Sequence, residues 1–241
     1  MKYDLLIDSP HEGVWNMAFD ESLLNRGKPI FRVYQWSDPT VSLGYFQTPE
    51  LNPFSQSAPF VRRTTGGGAI VHDRELTYSL TAPADSPLYQ AGPDLYGMVH
   101  QTIIQLLRDR GVDASTAQED PPQREKDKPF LCFQRRSRYD IVLNGCKVVG
   151  SAQRRTTSAV LQHGSILLNR SSVFPGLLGI NDLSSSAPMS VPEFTAAWIP
   201  ILASALNLDF TSVSLDQVYD EEEVRRIAEQ KYGNPDWRRE K

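Results

Sequence analysis

The chain has 241 residues, 40% of them hydrophobic, and a formal net charge of −4. This length suffices for one substantial domain, and no apolar run is long enough to cross a bilayer. The negative charge argues against broad nucleic-acid binding. Two cysteines are too few for a disulfide framework, and the acidic N-terminal stretch has no cleavable hydrophobic region, so we expect reduced thiols in a cytoplasmic protein without membrane association.

Patterns of apolar residues predict strands and helices in alternation along the chain. Asp94 is the expected N-cap of the second helix, while Gly27 and Gly111 should end the first and second. Because strands outnumber helices and their connections are short, we expect one domain, residues 1–241, in which a mixed sheet is flanked by helices. Strands are expected over residues 3–7, 31–36, 40–45, 69–72, 76–81 and 160–168, and helices over 14–25, 95–110, 192–206 and 215–230.

A hairpin is predicted around Asn144-Gly145, because both positions of this pair accept positive φ. Its strands should cover residues 139–143 and 146–152. Side chains alternate along a strand, so Cys146 and Lys147 should lie on opposite faces unless a bulge intervenes. The polar stretch 115–129 is expected to be a mobile loop that could act as a lid.

Cys132 and Lys147 together suggest acyl transfer through a thioester. A thiolate is both a good nucleophile and a good leaving group, and a nearby ammonium can hold a carbonyl, carboxyl or phosphate oxygen. If Lys147 points into a site, Cys146 points away from it, which favours Cys132 as the reactive thiol. The alternative is two buried, inert cysteines and a surface lysine.

Three consecutive glycines lie within the segment RRTTGGGAIVHD, residues 62–73. Such a run suits either a ligand that approaches the backbone closely or a sharp bend of a sheet. The segment matches neither a Walker A loop nor a Rossmann fingerprint. His72 at its end could orient a ligand or serve structure alone. The spacing of His and Cys residues offers no metal set, and neither Ser151 nor Ser165 lies in a nucleophile elbow.

Four segments in this order resemble the lipoate/octanoate transferase and ligase family, which shares its catalytic fold with biotin protein ligases. They are NMAFDESLL (16–24), RRTTGGGAIVHDRELTYS (62–79), KVVGSAQRR (147–155) and LQHGSILLN (161–169). The resemblance implies a two-layer α+β fold with mixed, mainly antiparallel sheets flanked by helices. It also implies a single catalytic domain, and the chain leaves little room for the accessory domain that many ligases carry.

The resemblance further implies an acyl pocket in which Lys147 contacts the acyl carbonyl or activated carboxyl. Candidate apolar walls are Trp36, Val71, Val149 and Ile166. The residues expected to bind substrate are Arg63, Gly66, Gly67, Gly68, His72, Gly150, Ser151, Ala152, Gln153, His163 and Gly164.

Within the family, Cys132-Phe133 ahead of Tyr139-Asp140 resembles the octanoyltransferases common in Gram-positive bacteria. The expected reaction moves an octanoyl group from acyl carrier protein, through a Cys132 thioester, to a lysine of a lipoyl domain. Acceptors would be proteins such as glycine cleavage H protein or 2-oxoacid dehydrogenase E2. No cofactor is needed, because transfer from thioester to amide is downhill.

Two other functions remain open from the sequence. An ATP-dependent lipoate-protein ligase would form a lipoyl-adenylate with ATP and magnesium, with Lys147 neutralising phosphate and Cys132 incidental. A non-catalytic acyl-binding or lipoyl-domain-binding protein of the same fold would bind without turnover. The basic runs 134–136 and 154–155 are either a solvated rim or a landing patch for an acidic partner protein.

Overall fold

The computed structural model describes residues 1–54, 57–121 and 129–239. Within these ranges eleven strands form two sheets, and helices cover both faces of the larger one. The strands are β1 (Lys2–Ile7), β2 (Ile30–Tyr34), β3 (Thr40–Leu43), β4 (Phe60–Arg62), β5 (Ile70–His72), β6 (Glu75–Pro83), β7 (Ser115–Thr116), β8 (Ile141–Leu143), β9 (Cys146–Arg155), β10 (Ala159–Leu167) and β11 (Asp209–Ser212). The α-helices are α1 (Gly13–Arg26), α2 (Pro87–Gln90), α3 (Asp94–Asp109), α4 (Ile180–Leu183), α5 (Val191–Leu206), α6 (Leu215–Val218), α7 (Glu221–Ile227) and α8 (Pro235–Arg239).

The larger sheet has the strand order β11-β1-β2-β6-β10-β9-β8-β7. Only the pairs β11–β1 and β1–β2 are parallel, and the other five pairs are antiparallel. The smaller sheet has the order β4-β3-β5, with one parallel and one antiparallel pair. The predicted α+β fold with mixed, mainly antiparallel sheets is therefore confirmed.

Alternation along the strands divides the core between the two faces of the larger sheet. Phe31 and Tyr78 pack against Trp198 of α5, with ring centroids 5.4 and 5.3 Å away, and α3 covers the same face. Arg32 and Tyr34 point to the other face, where α1 and α7 pack. The candidate site lies on this second face, between the larger sheet and the smaller one.

The bounds of α1, α3 and α5 were predicted to within one residue, whereas the predicted cap at Asp94 and the last predicted helix were wrong. Gly27 ends α1 in the left-handed conformation, with φ of 62°. Asp94 is not an N-cap: α3 begins at this residue, and its carboxylate accepts a hydrogen bond from the Tyr139 hydroxyl at 2.7 Å. The single helix predicted over 215–230 is broken, because Asp220 caps a new helix by accepting from the Glu223 amide at 3.0 Å.

The predicted mobile loop 115–129 is ordered at its start, where Ser115–Thr116 pair with β8. Residues 122–128 lie outside the described residues, so the lid remains a prediction. In the part of the chain that is described, no helix is both long enough and apolar enough to cross a bilayer.

The hairpin is confirmed, with φ of 49° at Asn144 and 77° at Gly145. Cys146 and Lys147 pair with the adjacent residues Leu143 and Val142, so the ladder is regular between them, and a register shift follows beyond Lys147, between Val142 and Ile141. As a result Lys147 and Gly150 share a side of the sheet, and a Cβ atom on Gly150 would lie 2.6 Å from Lys147 Cε. Because Gly150 has no side chain, the Lys147 side chain can pack directly against it.

The packing around Gly164 of β10 explains why the sequence motif LQHGSILLN has a glycine at this position. Tyr78 and Ser151 flank it on the two neighbouring strands, and their hydroxyls meet across it at 2.7 Å. A Cβ atom on Gly164 would overlap Ser151 Oγ and lie 2.5 Å from the Tyr78 ring.

We predict that Gly164→Ala lowers the free energy of unfolding by about 1–3 kcal/mol, the usual cost of overpacking a core. Chemical denaturation measures the change. Gly176→Ala is the matched control, because its Cβ would sit in ordinary contact, 3.4 Å from the Phe174 ring. Equal stability of the two variants would contradict the packing argument.

Candidate active site

The segment that carries Cys132 is joined to the glycine loop by a short backbone bridge. The Cys132 amide donates to Ala69 O at 2.7 Å, and the Ala69 amide donates to Phe130 O at 3.0 Å. A Cβ atom on Gly68 would lie only 2.7 Å from the Cys132 nitrogen. The third glycine of the run therefore permits close approach of the backbone that bears the thiol.

Arg63 shapes the glycine loop from inside. Its buried guanidinium donates to Gly66 O at 2.7 Å, to Gly68 O at 2.8 Å and to Ser42 O at 2.7 Å. Burial lowers the pKa of Arg63 to about 10, so the side chain stays charged at neutral pH. Arg63 was predicted to shape the pocket, and these contacts show that it does so through the loop's carbonyl groups.

Cys132, Lys147 and Asp140 form a compact reactive group. Lys147 Nζ lies 3.5 Å from Cys132 Sγ and 2.7 Å from Asp140 Oδ2. Burial by itself would lower the pKa of Lys147, but the neighbouring Cys132 and Asp140 outweigh burial and raise it. The lysine is therefore an ammonium held beside the thiol.

Asp140 was not among the predicted site residues, although it belongs to the Tyr139-Asp140 pair that marked the sub-family. Its carboxylate accepts the Ser137 amide at 2.7 Å as well as the Lys147 amine. The signal available in the sequence was an acidic residue on the first predicted strand of the hairpin whose second strand carries Lys147.

His72 is held rigidly at the end of the glycine segment. Nε2 bonds to Ser42 Oγ at 2.7 Å, Nδ1 bonds to the buried Glu75 carboxylate, and the ring stacks on Trp36 with centroids 3.8 Å apart. Burial lowers the pKa of His72, despite the opposing effect of Glu75.

His163 connects the glycine loop to helix α1. Its Nε2 bonds to Thr65 Oγ1 at 2.8 Å, and its Nδ1 lies 3.5 Å from Asp20 Oδ2. Burial would raise the pKa of Asp20, but the bond from His163 and the charge of Arg32 outweigh it and lower the pKa. Asp20 belongs to the NMAFDESLL segment and was missed as a site residue.

Ser151 lines the site, but its hydroxyl is hydrogen-bonded to His100, away from Cys132 and Lys147. Ser151 Oγ bonds to His100 Nε2 at 2.6 Å, and His100 Nδ1 bonds to Tyr139 O at 2.6 Å. The carbonyl can only accept, so Nδ1 carries the proton and Ser151 donates to Nε2. Burial lowers the pKa of His100, which fits a neutral ring. No motif in the sequence had indicated His100.

A cavity of about 280 Å³ runs inward from Cys132. Its lining includes the two predicted catalytic residues and every predicted binding residue except Gly68. These are Cys132, Lys147, Arg63, Gly66, Gly67, His72, Gly150, Ser151, Ala152, Gln153, His163 and Gly164. Within the described ranges, no group of three or more His, Cys, Asp or Glu side chains is arranged to hold a metal ion.

The predicted apolar walls are mostly wrong. Trp36 does line the cavity, but Val71, Val149 and Ile166 point into the hydrophobic core instead. Their strand neighbours Ile70, Gly150 and Ser165 take their places in the lining. Choosing the apolar residue of each strand selected the face that packs against the core.

A second, more polar cavity of about 710 Å³ opens outward from the same point. It shares Gly67, Cys132, Ser137 and Lys147 with the inner cavity. Its remaining lining residues are Gly68, Glu119, Asp120, Pro121, Arg135 and Arg136. Cys132 therefore lies at the junction of an inner cavity and an outer one.

Comparison with known proteins gives a consistent result. The sequence profile of the lipoyl protein ligase A/B catalytic domain matches residues 12–218, so the chain belongs to this family. Octanoyltransferase LipM of Halalkalibacterium halodurans is 33% identical, with 96% of each chain covered, and that of Bacillus subtilis is 32% identical, with 92% of each covered.

Solved structures confirm the fold. A lipoate-protein ligase A bound with ATP has a TM-score of 0.76 at 23% identity, covering 99% of this chain and 98% of the other. A bipartite lipoate protein ligase of Thermoplasma acidophilum has a TM-score of 0.74 at 22% identity, covering 99% and 96%.

The lowered pKa values of His72 and His100 predict loss of stability in mild acid. A His pKa below its ordinary value of about 6.5 means that the unfolded chain binds the proton first as pH falls. We expect the free energy of unfolding to decrease from pH 7.5 to 5.5, and His100→Asn to make this decrease shallower. Denaturant titrations at both pH values test the prediction, and an unchanged slope in the variant would contradict it.

Proposed function

We propose that this chain is a protein octanoyltransferase that works through a thioester on Cys132. The observation that carries the proposal is the 3.5 Å separation of Cys132 Sγ and Lys147 Nζ where the inner and outer cavities meet. The family membership and the octanoyltransferase relatives support the same activity. Octanoyl transfer serves protein lipoylation.

The inner cavity suits a linear acyl chain. Its lining residues come from β9, β10, β6 and β2, which are successive neighbours in the sheet. Three strand spacings correspond to about 14 Å, ample for an extended eight-carbon chain. Tyr34 belongs to β2, the lining strand farthest from β9, so we assign the methyl terminus to its side of the cavity, which Met17 and Trp36 also line.

In the first half-reaction the Cys132 thiolate attacks the thioester of octanoyl-acyl carrier protein. A C–S bond to Cys132 forms, the C–S bond to the carrier breaks, and the carrier thiol leaves through the outer cavity. The Lys147 ammonium stabilises both the attacking thiolate and the oxyanion that develops on the carbonyl. Backbone amides near Gly150 or Gly67 are candidates for a further donor.

In the second half-reaction the ε-amine of an acceptor lysine enters through the same outer cavity. The acceptor is a lipoyl-domain protein, such as glycine cleavage H protein or 2-oxoacid dehydrogenase E2. Its amine attacks the octanoyl-Cys132 thioester, an amide forms, and Cys132 is released. The free energy of the thioester drives the step, so neither ATP nor a metal is required. A reducing cytoplasm keeps the thiol active, and one catalytic domain suffices.

An ATP-dependent lipoate-protein ligase is the second candidate. The outer cavity favours it in one respect, because Arg135 and Arg136 lie with Lys147 around a space that a phosphate could enter. The two candidates differ in their need for ATP. A third possibility, a binding protein without turnover, differs from both by forming no product.

We predict that wild type mixed with octanoyl-acyl carrier protein without ATP gains the mass of one octanoyl group, and that Cys132→Ala gains none. Cys146→Ala is the matched control, since Cys146 lines neither the inner nor the outer cavity and lies in a depression beside Phe174 and Gly176. Intact-protein mass spectrometry measures all three. Absence of an adduct on wild type, with product formed only when ATP and lipoate are added, would establish the ligase instead.

We predict that Lys147→Ala lowers kcat/KM for octanoyl transfer by about 100-fold or more, the usual effect of removing one oxyanion donor. A lipoyl domain serves as acceptor in the assay. Thermal unfolding of the variant must be recorded in parallel, because Asp140 is left without its buried partner. Near-normal turnover of a folded variant would remove Lys147 from the mechanism.

A further inference from the structure

The acylated enzyme faces a hazard that arises from its own geometry. Lys147 Nζ lies 3.5 Å from Cys132 Sγ, so an octanoyl carbonyl carbon bonded to that sulfur sits beside an amine. A neutral amine at this place would attack the thioester with the advantage of a permanent intramolecular neighbour. This attack would end the catalytic cycle, because the product is a stable amide.

The unwanted step balances without any other reactant. The nitrogen lone pair of neutral Lys147 forms a C–N bond to the octanoyl carbonyl carbon, and the C–S bond to Cys132 breaks. One N–H proton passes to the departing thiolate. The result is octanoyl-Lys147 and a free Cys132 thiol, in a pocket now filled by the misplaced chain. Only a protonated Lys147, which has no lone pair, is immune.

We infer that Asp140 protects the acyl-enzyme by keeping Lys147 protonated, so that the octanoyl group passes to the incoming lysine and not to the resident one. The inference rests on the proposed thioester. Asp140 Oδ2 is 2.7 Å from Nζ, and the two side chains are only 6% and 3% exposed. The Ser137 backbone amide donates to the same oxygen at 2.7 Å and fixes the carboxylate in place.

The protection matters most after acylation. The contacts that favour the charged lysine come from Cys132 and Asp140, and burial opposes them. Once Cys132 carries an acyl group its sulfur cannot be an anion, so Asp140 is the negative charge in contact with Nζ that still counteracts burial, beside the neutral Cys132 carbonyl, which accepts from Nζ at 3.3 Å. His100 lies behind Ser151 and the Tyr139 carbonyl, and its ring is neutral. The charged side chains of the outer cavity are Arg135, Arg136, Glu119 and Asp120.

The test uses Asp140→Asn, which keeps the shape of the side chain and removes its charge. Wild type and variant are mixed with octanoyl-acyl carrier protein at pH 8 and then treated with hydroxylamine, which cleaves thioesters and spares amides. We expect the wild-type adduct to be lost completely. We expect Asp140→Asn to form a hydroxylamine-resistant adduct at least ~10-fold faster, because losing a close ion-pair partner shifts a pKa by about one unit or more.

Peptide mapping must place the resistant octanoyl group on Lys147. The double variant Asp140→Asn/Lys147→Arg is the control, since arginine keeps the positive charge and remains protonated. A resistant adduct that persists in the double variant, or that maps to another residue, would overturn the inference. So would an Asp140→Asn adduct that forms and stays fully sensitive to hydroxylamine.

A second experiment keeps Asp140 unchanged. It tests the inference even if the Asp140→Asn variant fails to fold or to become octanoylated. Wild type loaded with octanoate is incubated at pH values from 7 to 10, and the resistant fraction is measured. We expect resistant octanoyl-Lys147 to increase with pH, and Lys147→Arg to show none. A wild-type thioester that stays fully sensitive at pH 10 would overturn the inference. No adduct on wild type at any pH would instead refute the proposed thioester itself.

Discussion

The rest of the site depends on the hydrogen bonds that the buried carboxylate of Asp20 accepts. It accepts hydrogen bonds at 2.9 Å from Arg32, from Tyr34 and from Ser79, and so joins α1 to strands β2 and β6. His163 adds strand β10 and passes the connection through Thr65 to Arg63, which holds the glycine loop. Removing one partner of such a buried pair leaves an uncompensated charge, typically at a cost of about 3–5 kcal/mol.

Two buried ion pairs thus serve different ends in one fold. The Arg32–Asp20 pair is surrounded by aromatic rings, with the guanidinium 3.8 Å from the Tyr34 ring centroid, and it fixes the floor of the site. The Lys147–Asp140 pair lies where two cavities meet and has a thiol in contact. The first pair has its hydrogen bonds satisfied within the protein. The second pair keeps the Cys132 thiol as a neighbour of its lysine, and this lysine lines both cavities.

Local chemistry explains which parts could be predicted from the sequence. The Asn144-Gly145 turn and the stop at Gly27 were predictable because positive φ favours few residue types. Most of the cavity lining was instead identified by the segments that carry the resemblance to the lipoate/octanoate transferase and ligase family. The bulge between Ile141 and Val142 had no such signature, since it arises from how two strands meet. The apolar walls failed for a related reason: Val71, Val149 and Ile166 are apolar because they face the core.

The bridge between Ala69 and Leu131 gives the site a mechanical property. Two backbone hydrogen bonds of this bridge join the glycine loop to the turn that carries Cys132, so the rim of the cavity is coupled directly to the thiol. Gly68 makes the fit between them tight, with no space for even a methyl group. A substrate that presses on the rim therefore shifts the sulfur as well, and alignment of the thiol becomes sensitive to what occupies the entrance.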